Sequence, residues 1–464
     1  MKASVRRLRS LWSVFLVVAA AGLLSTPVQA QNNNNNNNNN NNLGGNTIDQ
    51  QGVMKPVFGI EQSGKLAEKR RLAAAGEMLE QDVISASPLR MVSLVRLEQA
   101  VDQALLAGEE LSLEIQYLAG LQRIDYIFVY PESGDLVLAG PAEGFSPGVA
   151  GRMLGIQSGR PPLRLDDLCV ALRAVRRGEN IGCSIDPVPE RLAALENYVR
   201  NNSTASSRAV VRQRYQQMAR ILGMQNIRVW GVPPGSHFGQ TLVEADYRMK
   251  LLSMGLERPQ VRGFRTHLSM IGPGSNSVQR WWLSPLYGQF VRSEDGTAYQ
   301  LSGQRVQMSA QEELTDSAGN RTSAAFTRFS TQQYAKYFTE KFADLAAATP
   351  IFAELQNLFD LAVVAALLDR QRLSEKVGWN AKLLLDNERL PISEGNVPQQ
   401  VPTVFAVKDS RKRVIGLIGG GVQLNATQTI RGIRFDDDQD SRLADQAAAS
   451  FRPQADRKRS WWWD

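Results

Sequence analysis

The run Ile351–Leu368 constrains this chain more than any other. It follows Pro350, which suits the first position of a helix, and wound as a helix it is apolar on nearly every side. A helix without a polar face belongs inside a core. The remaining elements therefore have to be placed around it.

Those elements alternate without a regular βαβ rhythm. Ser93 caps a helix with Leu94, Leu97, Val101 and Leu105 on one face and Gly108 past its end. Leu165, Leu168, Leu172 and Val175 mark a second, with Asp166 and Asp167 in its first turn. A third is expected to begin at Pro187 with Asp186 as N-cap. Val211, Tyr215, Met218 and Leu222 mark a fourth, whose Arg208, Arg212, Arg214 and Arg220 read as a solvated basic face. Tyr334, Phe338, Phe342 and Leu345 form one helical stripe before Pro350. Ile124–Tyr130 and Leu136–Ala139 flank a turn, as do Tyr287–Arg292 and Thr297–Leu301, where Asp295-Gly296 is a hairpin signal. Val401–Val407 and Val414–Ile418 read as strands before Gly419–Gly421, a bulge or tight turn. The block from Ile227 reads as a hairpin (Ile227–Val232, Thr241–Ala245) and then a short helix, Asp246–Met254. This predicts an α+β fold with mostly antiparallel strands, two or more packed subdomains, a disordered N-terminal spacer and a disordered C-terminal tail.

The first thirty residues have the pattern of a secretory signal. Lys2, Arg6, Arg7 and Arg9 precede the apolar Leu11–Leu24, and Val28-Gln29-Ala30 supplies the small residues of a cleavage site. Cleavage would leave 49 of the 53 Lys and Arg against 46 acids, a net charge of +3 rather than +7. That balance, without a clustered basic face, does not suggest nucleic acid. No later run reaches the roughly 20 apolar residues of a membrane span, so the expected destination is the periplasm or cell envelope, or release. Asn32–Asn42 has no apolar face to bury and is expected to be a spacer. The organisation expected is a signal peptide (1–30), a linker (31–52), an N-terminal α+β domain (53–202), a central α+β domain (203–310), a helical and C-terminal strand region (311–430) and a tail (431–464).

Cys169 and Cys183 either close one loop as a disulfide or remain buried thiols. Gly144-Phe145-Ser146-Pro147-Gly148 has the spelling of a nucleophile elbow, but the residue after its serine lacks the N–H an oxyanion hole needs, so a surface turn is expected. Asp436, Asp438 and Asp440 begin like a calcium loop, yet Ser441 and Ala447 occupy its glycine and glutamate positions. Gly419–Gly421 lacks the spacing and Lys-Ser/Thr of a phosphate loop. No cofactor is expected.

Two constellations remain. His237, at an expected hairpin tip, and His267, on an expected strand, are the only histidines. With Glu244 and Asp246 they are the candidate set for a metal-assisted hydrolase, though without diagnostic metal spacing. Asp246, Tyr247, Arg248 and Lys250, with Arg280, Trp281 and Trp282, are the candidate binding surface, arginines for an anion and indoles for stacking. Trp461, Trp462 and Trp463, at the end of an expected disordered tail, suit contact with a partner groove or membrane interface.

Leu242–Lys250 and Arg280-Trp281-Trp282, with Leu165-Asp166-Asp167-Leu168 and Cys183-Ser184-Ile185-Asp186-Pro187, resemble an uncharacterised family of exported, planctomycete-type bacterial proteins, a domain of unknown function. The resemblance spans roughly Leu79–Val422. It implies export and a bacterial envelope, and no activity. The sequence therefore favours a non-enzymatic binding or scaffolding protein of the envelope, with the hydrolase as the alternative.

Overall fold

The computed structural model describes residues 43–58, 65–148, 151–202, 204, 208–270, 278–315, 321–323, 327–408, 413–452 and 461–464. The expected signal peptide, the asparagine tract Asn32–Asn42 and residues 453–460 lie outside the described residues, while Leu43–Ile48, within the expected disordered linker, is a strand paired with Met54–Phe58. The helix Pro350–Arg370 holds the centre of residues 41–464, and every residue from Ile351 to Leu368 is buried. It is long and apolar enough to cross a membrane, but that whole stretch is enclosed by protein. The helices Leu165–Arg176 and His237–Met254 pack directly on it.

Two sheets flank this core. The long sheet runs Arg321–Ser323, Arg305–Thr315, Val278–Leu286, Arg413–Leu424, Ile181–Pro187, Met224–Trp230, Gln400–Pro402, with Phe405–Lys408 also paired to the Arg413 strand. Every pair in it is antiparallel except Val278 with Arg413. The second sheet runs Phe435–Asp437, Phe290–Arg292, Ala298–Gln300, Tyr126–Tyr130, Asp135–Ala142, Ser87–Ser93, Trp462–Trp463. Its residues alternate as a half-buried sheet requires: Val92, Ile127, Val129, Leu136 and Leu138 join the main core, while Met91, Phe128, Val137 and Ala139 meet Leu443 and Ala447 of the helix Arg442–Ser450. A third cluster joins the helices Pro189–Asn201 and Arg208–Leu222 through Leu192, Leu195 and Leu222. The architecture is α+β and mostly antiparallel, as the patterns predict.

Local signals held where one residue decides the geometry. Ser93 caps Leu94–Ala107 by accepting from the Arg96 N–H, and Gly108 ends it at φ 68°. Gly419–Gly421 sits at a bulge, where the Arg413 strand carries one more residue than its Val278 partner. Cys169 and Cys183 are both buried free thiols, so the disulfide is not formed.

Several expectations are corrected. Thr241–Ala245 is helix, because Ser236 caps at its hydroxyl and the helix starts at His237; the segment Thr241–Met254 is buried on all sides, which erases the helical period. His267 opens a short helix, His267–Met270, and not a strand. Pro187 ends a strand, facing Gln225, and the next helix starts instead at Pro189. The Tyr334–Leu345 stripe breaks at Lys341 into Phe329–Glu340 and Phe342–Ala348. The expected strand Val401–Val407 is two, and Ser146 lies buried in the strand Phe145–Pro147 and not in a surface turn. The tail is folded in its described residues: Asp438 accepts from the Leu443 and Ala444 N–H groups to cap Arg442–Ser450, and Trp461–Trp463 are buried.

Candidate functional site

The His237–Met254 helix carries most of the candidate residues, and its setting decides what each can do. Its first residue, His237, donates from Nδ1 to Asp167 Oδ2 at 2.8 Å. The other ring nitrogen lies 3.4 Å from Thr241 Oγ1 and 3.6 Å from Glu354 Oε1 on the central helix. Glu354 Oε1 also takes Arg152 Nε at 2.9 Å, Arg152 reaches Glu244 Oε2 at 3.1 Å, and Glu244 Oε1 lies 3.5 Å from Arg248. Arg248 ends the chain with a two-pronged pair to Glu257, Nε to Oε2 at 2.7 Å. This is a continuous line of alternating charges inside the protein.

The electrostatics fix the protonation of its histidine. Burial opposes the charged ring, but Asp167 beside it and the hydrogen bonds to Asp167 and Glu354 outweigh that and raise its pKa to about 9. Glu354 is held down at about 2, because Arg152 and His237 overcome its burial. With its charged form favoured in this way, His237 acts here as a donor to Asp167.

His267 is elsewhere. It is enclosed by Trp281 and Tyr334, with ring centroids 4.8 and 5.2 Å away, and neither ring nitrogen has a hydrogen-bond partner among the described residues. Burial pushes its pKa down to about 3. His237 and His267 thus share none of their described partners, and the four residues of the hydrolase set are not brought together. Among the described residues, no group of three His, Cys, Asp or Glu is arranged to hold a metal ion.

Asp246 and Lys250 are one helical turn apart and wholly buried, paired at 2.8 Å under the Arg413 strand, where a Cβ on Gly420 would stand 3.2 Å from Lys250 Cε. Burial raises Asp246 to about 6 against the opposing pull of Lys250. With Tyr247, Arg248 and Trp281 also buried, only Arg280 and Trp282 of the candidate binding residues reach the outside.

They do so on the outer face of the long sheet. Arg280 lies 4.6 Å from the centre of the Trp282 ring and 3.3 Å from Asp186 Oδ1. Trp282, Gly421, Ser184 and Arg228 stand in one row across four strands, and Trp230 faces Gly182 in the next row of the same side. Both indoles lie against glycine. A Cβ on Gly421 would fall 2.7 Å from Trp282 Cζ3, and one on Gly182 would fall 2.4 Å from Trp230 Cζ2. Side chains at those two positions would lift the rings off the sheet, so glycine there is a close-approach requirement.

Sequence reasoning missed Trp230, although Asn226, Arg228 and Trp230 alternate on one strand and the period was available. It also missed Arg152, Asp167, Glu257 and Glu354 as partners of the named residues. Except for Glu257, nine residues from Arg248, those partners lie 70 or more residues away, and the sequence holds no signal for such pairs.

Residues 183–266 match a family described as Protein of unknown function (DUF1598). The match runs from the Ile181 strand through the His237–Met254 helix and stops short of His267; Leu165–Leu168 and Arg280–Trp282 lie outside it. No curated protein and no solved structure matches the chain.

Proposed function

We propose that this is an exported, non-enzymatic binding protein of a bacterial cell envelope, of planctomycete type, that engages its partner through the outer face of the long sheet. The observation that carries the reading is the pair Trp230 and Trp282, both partly exposed and each with its ring packed against a glycine. Exposed indoles cost solubility and contribute nothing to a core, so a surface shaped to present two of them fits recognition. The signal-like residues 1–30 and the asparagine tract would deliver the domain and hold it off its point of release.

The test is expression of the full chain in a bacterial host, with mass spectrometry of the exported product and washing of the envelope fraction. The expected product begins at Gln31 and stays with the envelope, and the Trp230→Ala/Trp282→Ala variant washes off. Equal retention of the variant would refute this face as the attachment surface, and an uncleaved cytosolic product would refute export.

A further inference from the structure

We infer that the cavity between the end of the Leu165–Arg176 helix and the segment 384–392 binds a small amphiphilic anion, an acidic head group on an apolar body. The cavity has a volume of about 380 Å³, which is in the size class of small-molecule sites. It lies away from the outer face of the long sheet and does not depend on that face. Val170, Arg173 and Arg177 recur at helical spacing and so share one side of the helix, with Arg176 beside them. Arg173 fixes the opposite wall. It is buried, and it donates from Nε to Leu384 O at 2.9 Å, from Nη1 to Asn387 Oδ1 at 2.8 Å, and from Nη2 to the carbonyls of Asp386 and Leu390 at 3.1 and 2.8 Å. The fold itself therefore ties the two walls together, and no ligand is needed to position them.

The charges select the sign of the ligand. All the acceptors of Arg173 are neutral groups, and burial lowers its pKa. The Asp386 carboxylate accepts instead from the Glu388 and Arg389 N–H groups. Arg177 is paired with Glu179 at 2.8 Å, whereas Arg176 is exposed and has no partner among the described residues. Among the described residues, no Asp or Glu lines the cavity. An anion that enters it gains charge-assisted hydrogen bonds from arginine and meets no like charge. The rest of the lining selects the body of the ligand. Val170 is buried, Leu385 and Ile392 are partly buried and packed on the main core, and Pro233 closes the same space. An inorganic ion leaves these apolar groups in water, and an apolar body covers them.

The experiment titrates the full-length protein with hexanoate and with hexyl phosphate, reading ligand signals by saturation-transfer NMR and protein stability by thermal unfolding. Acetate, with the charge but not the body, and hexylamine, with the body but the opposite charge, are run in parallel. Saturable binding of at least one of the two amphiphilic anions is expected, and comparison of the two tells a carboxylate head from a phosphate head. Arg176→Gln/Arg177→Gln should weaken it about tenfold, the equivalent of one charge-assisted hydrogen bond. Ile392→Asp should weaken it at least as much by placing a carboxylate in the cavity. Arg258→Gln, at an exposed position outside the cavity, should leave it unchanged. Arg173 is left intact, because its loss would release the segment 384–392. Failure of both anions to bind overturns the inference, as does binding that the Arg176→Gln/Arg177→Gln variant leaves unchanged. Hexylamine binding as tightly as hexanoate would overturn the choice of an anion, and acetate binding as tightly would overturn the apolar body. Circular dichroism of each variant separates a lost site from a lost fold.

Discussion

Replacing Trp462 by alanine should uncouple the C-terminal strand from the second sheet and cost the protein a large part of its stability. Trp462 is 4% exposed, and its ring is covered by the Arg90 guanidinium at 4.5 Å. Arg90 is itself fully buried and is held by Asp464 through two bonds of 2.8 and 3.0 Å and by the carbonyls of Val83, Ala119, Asp82 and Ser85. Trp462 and Trp463 pair with Val92 and Met91, and the Ser93 N–H donates to Trp461 O at 2.9 Å. Truncating a buried Trp to Ala costs about 3–5 kcal/mol, and loss of the cation–π contact, roughly 0.5–2 kcal/mol, lies within that cost. Against a total of about 5–15 kcal/mol for a domain, this is decisive. With a urea slope of about 3 kcal/mol/M, the midpoint should fall by roughly 1–1.7 M. Hydrogen exchange supplies the local readout: the Ser93 amide should lose protection in the variant before amides of the central helix do. Phe329→Ala, at a position 72% exposed, should shift the midpoint little. A Trp462→Ala midpoint within about 0.3 M of the wild type, with Ser93 still protected, would refute the buried clasp.

Two further outcomes test the interior. His267 favours its neutral form in the fold, with a pKa of about 3 against an ordinary 6.5. The unfolded chain gains a proton first as pH falls, so the stability tied to the neutral ring is complete above pH 6.5 and is lost progressively toward pH 3. At pH 4 that amounts to about 3 kcal/mol at 1.36 kcal/mol per unit. His267→Leu should therefore lower stability little at pH 7 and make the protein more stable than wild type in urea titrations at pH 4; an unchanged acid dependence would refute it. Lys250→Met should cost about 3–5 kcal/mol by leaving Asp246 buried and unpaired, and Asp246→Leu added to it should recover most of that loss. An additive double variant in thermal unfolding would show that the two residues are not coupled.

The sequence settled the elements whose making depends on neighbours along the chain. The Ser93 cap and Gly108 stop fix one helix, Asp295-Gly296 fixes one hairpin, and the apolar run after Pro350 dictates a buried centre. It also determined that the fold mixes helices with antiparallel strands, because periods of 3.6 and 2 are local properties. Of the His237–Met254 helix it yielded only Asp246–Met254, with Thr241–Ala245 read as strand, since an element buried on every side has no amphipathic period to read. Nor could it place Trp461–Trp463, whose partners Arg90 and Met91–Val92 lie some 370 residues earlier. The candidate residues were legible as residue types and their roles were not. Asp246, Arg248 and Lys250 look like a surface in one dimension, and they are interior because the Arg413 strand and the central helix close over them. Burial is set by which distant segments meet, and that is decided only when tertiary packing offsets the entropy of bringing them together.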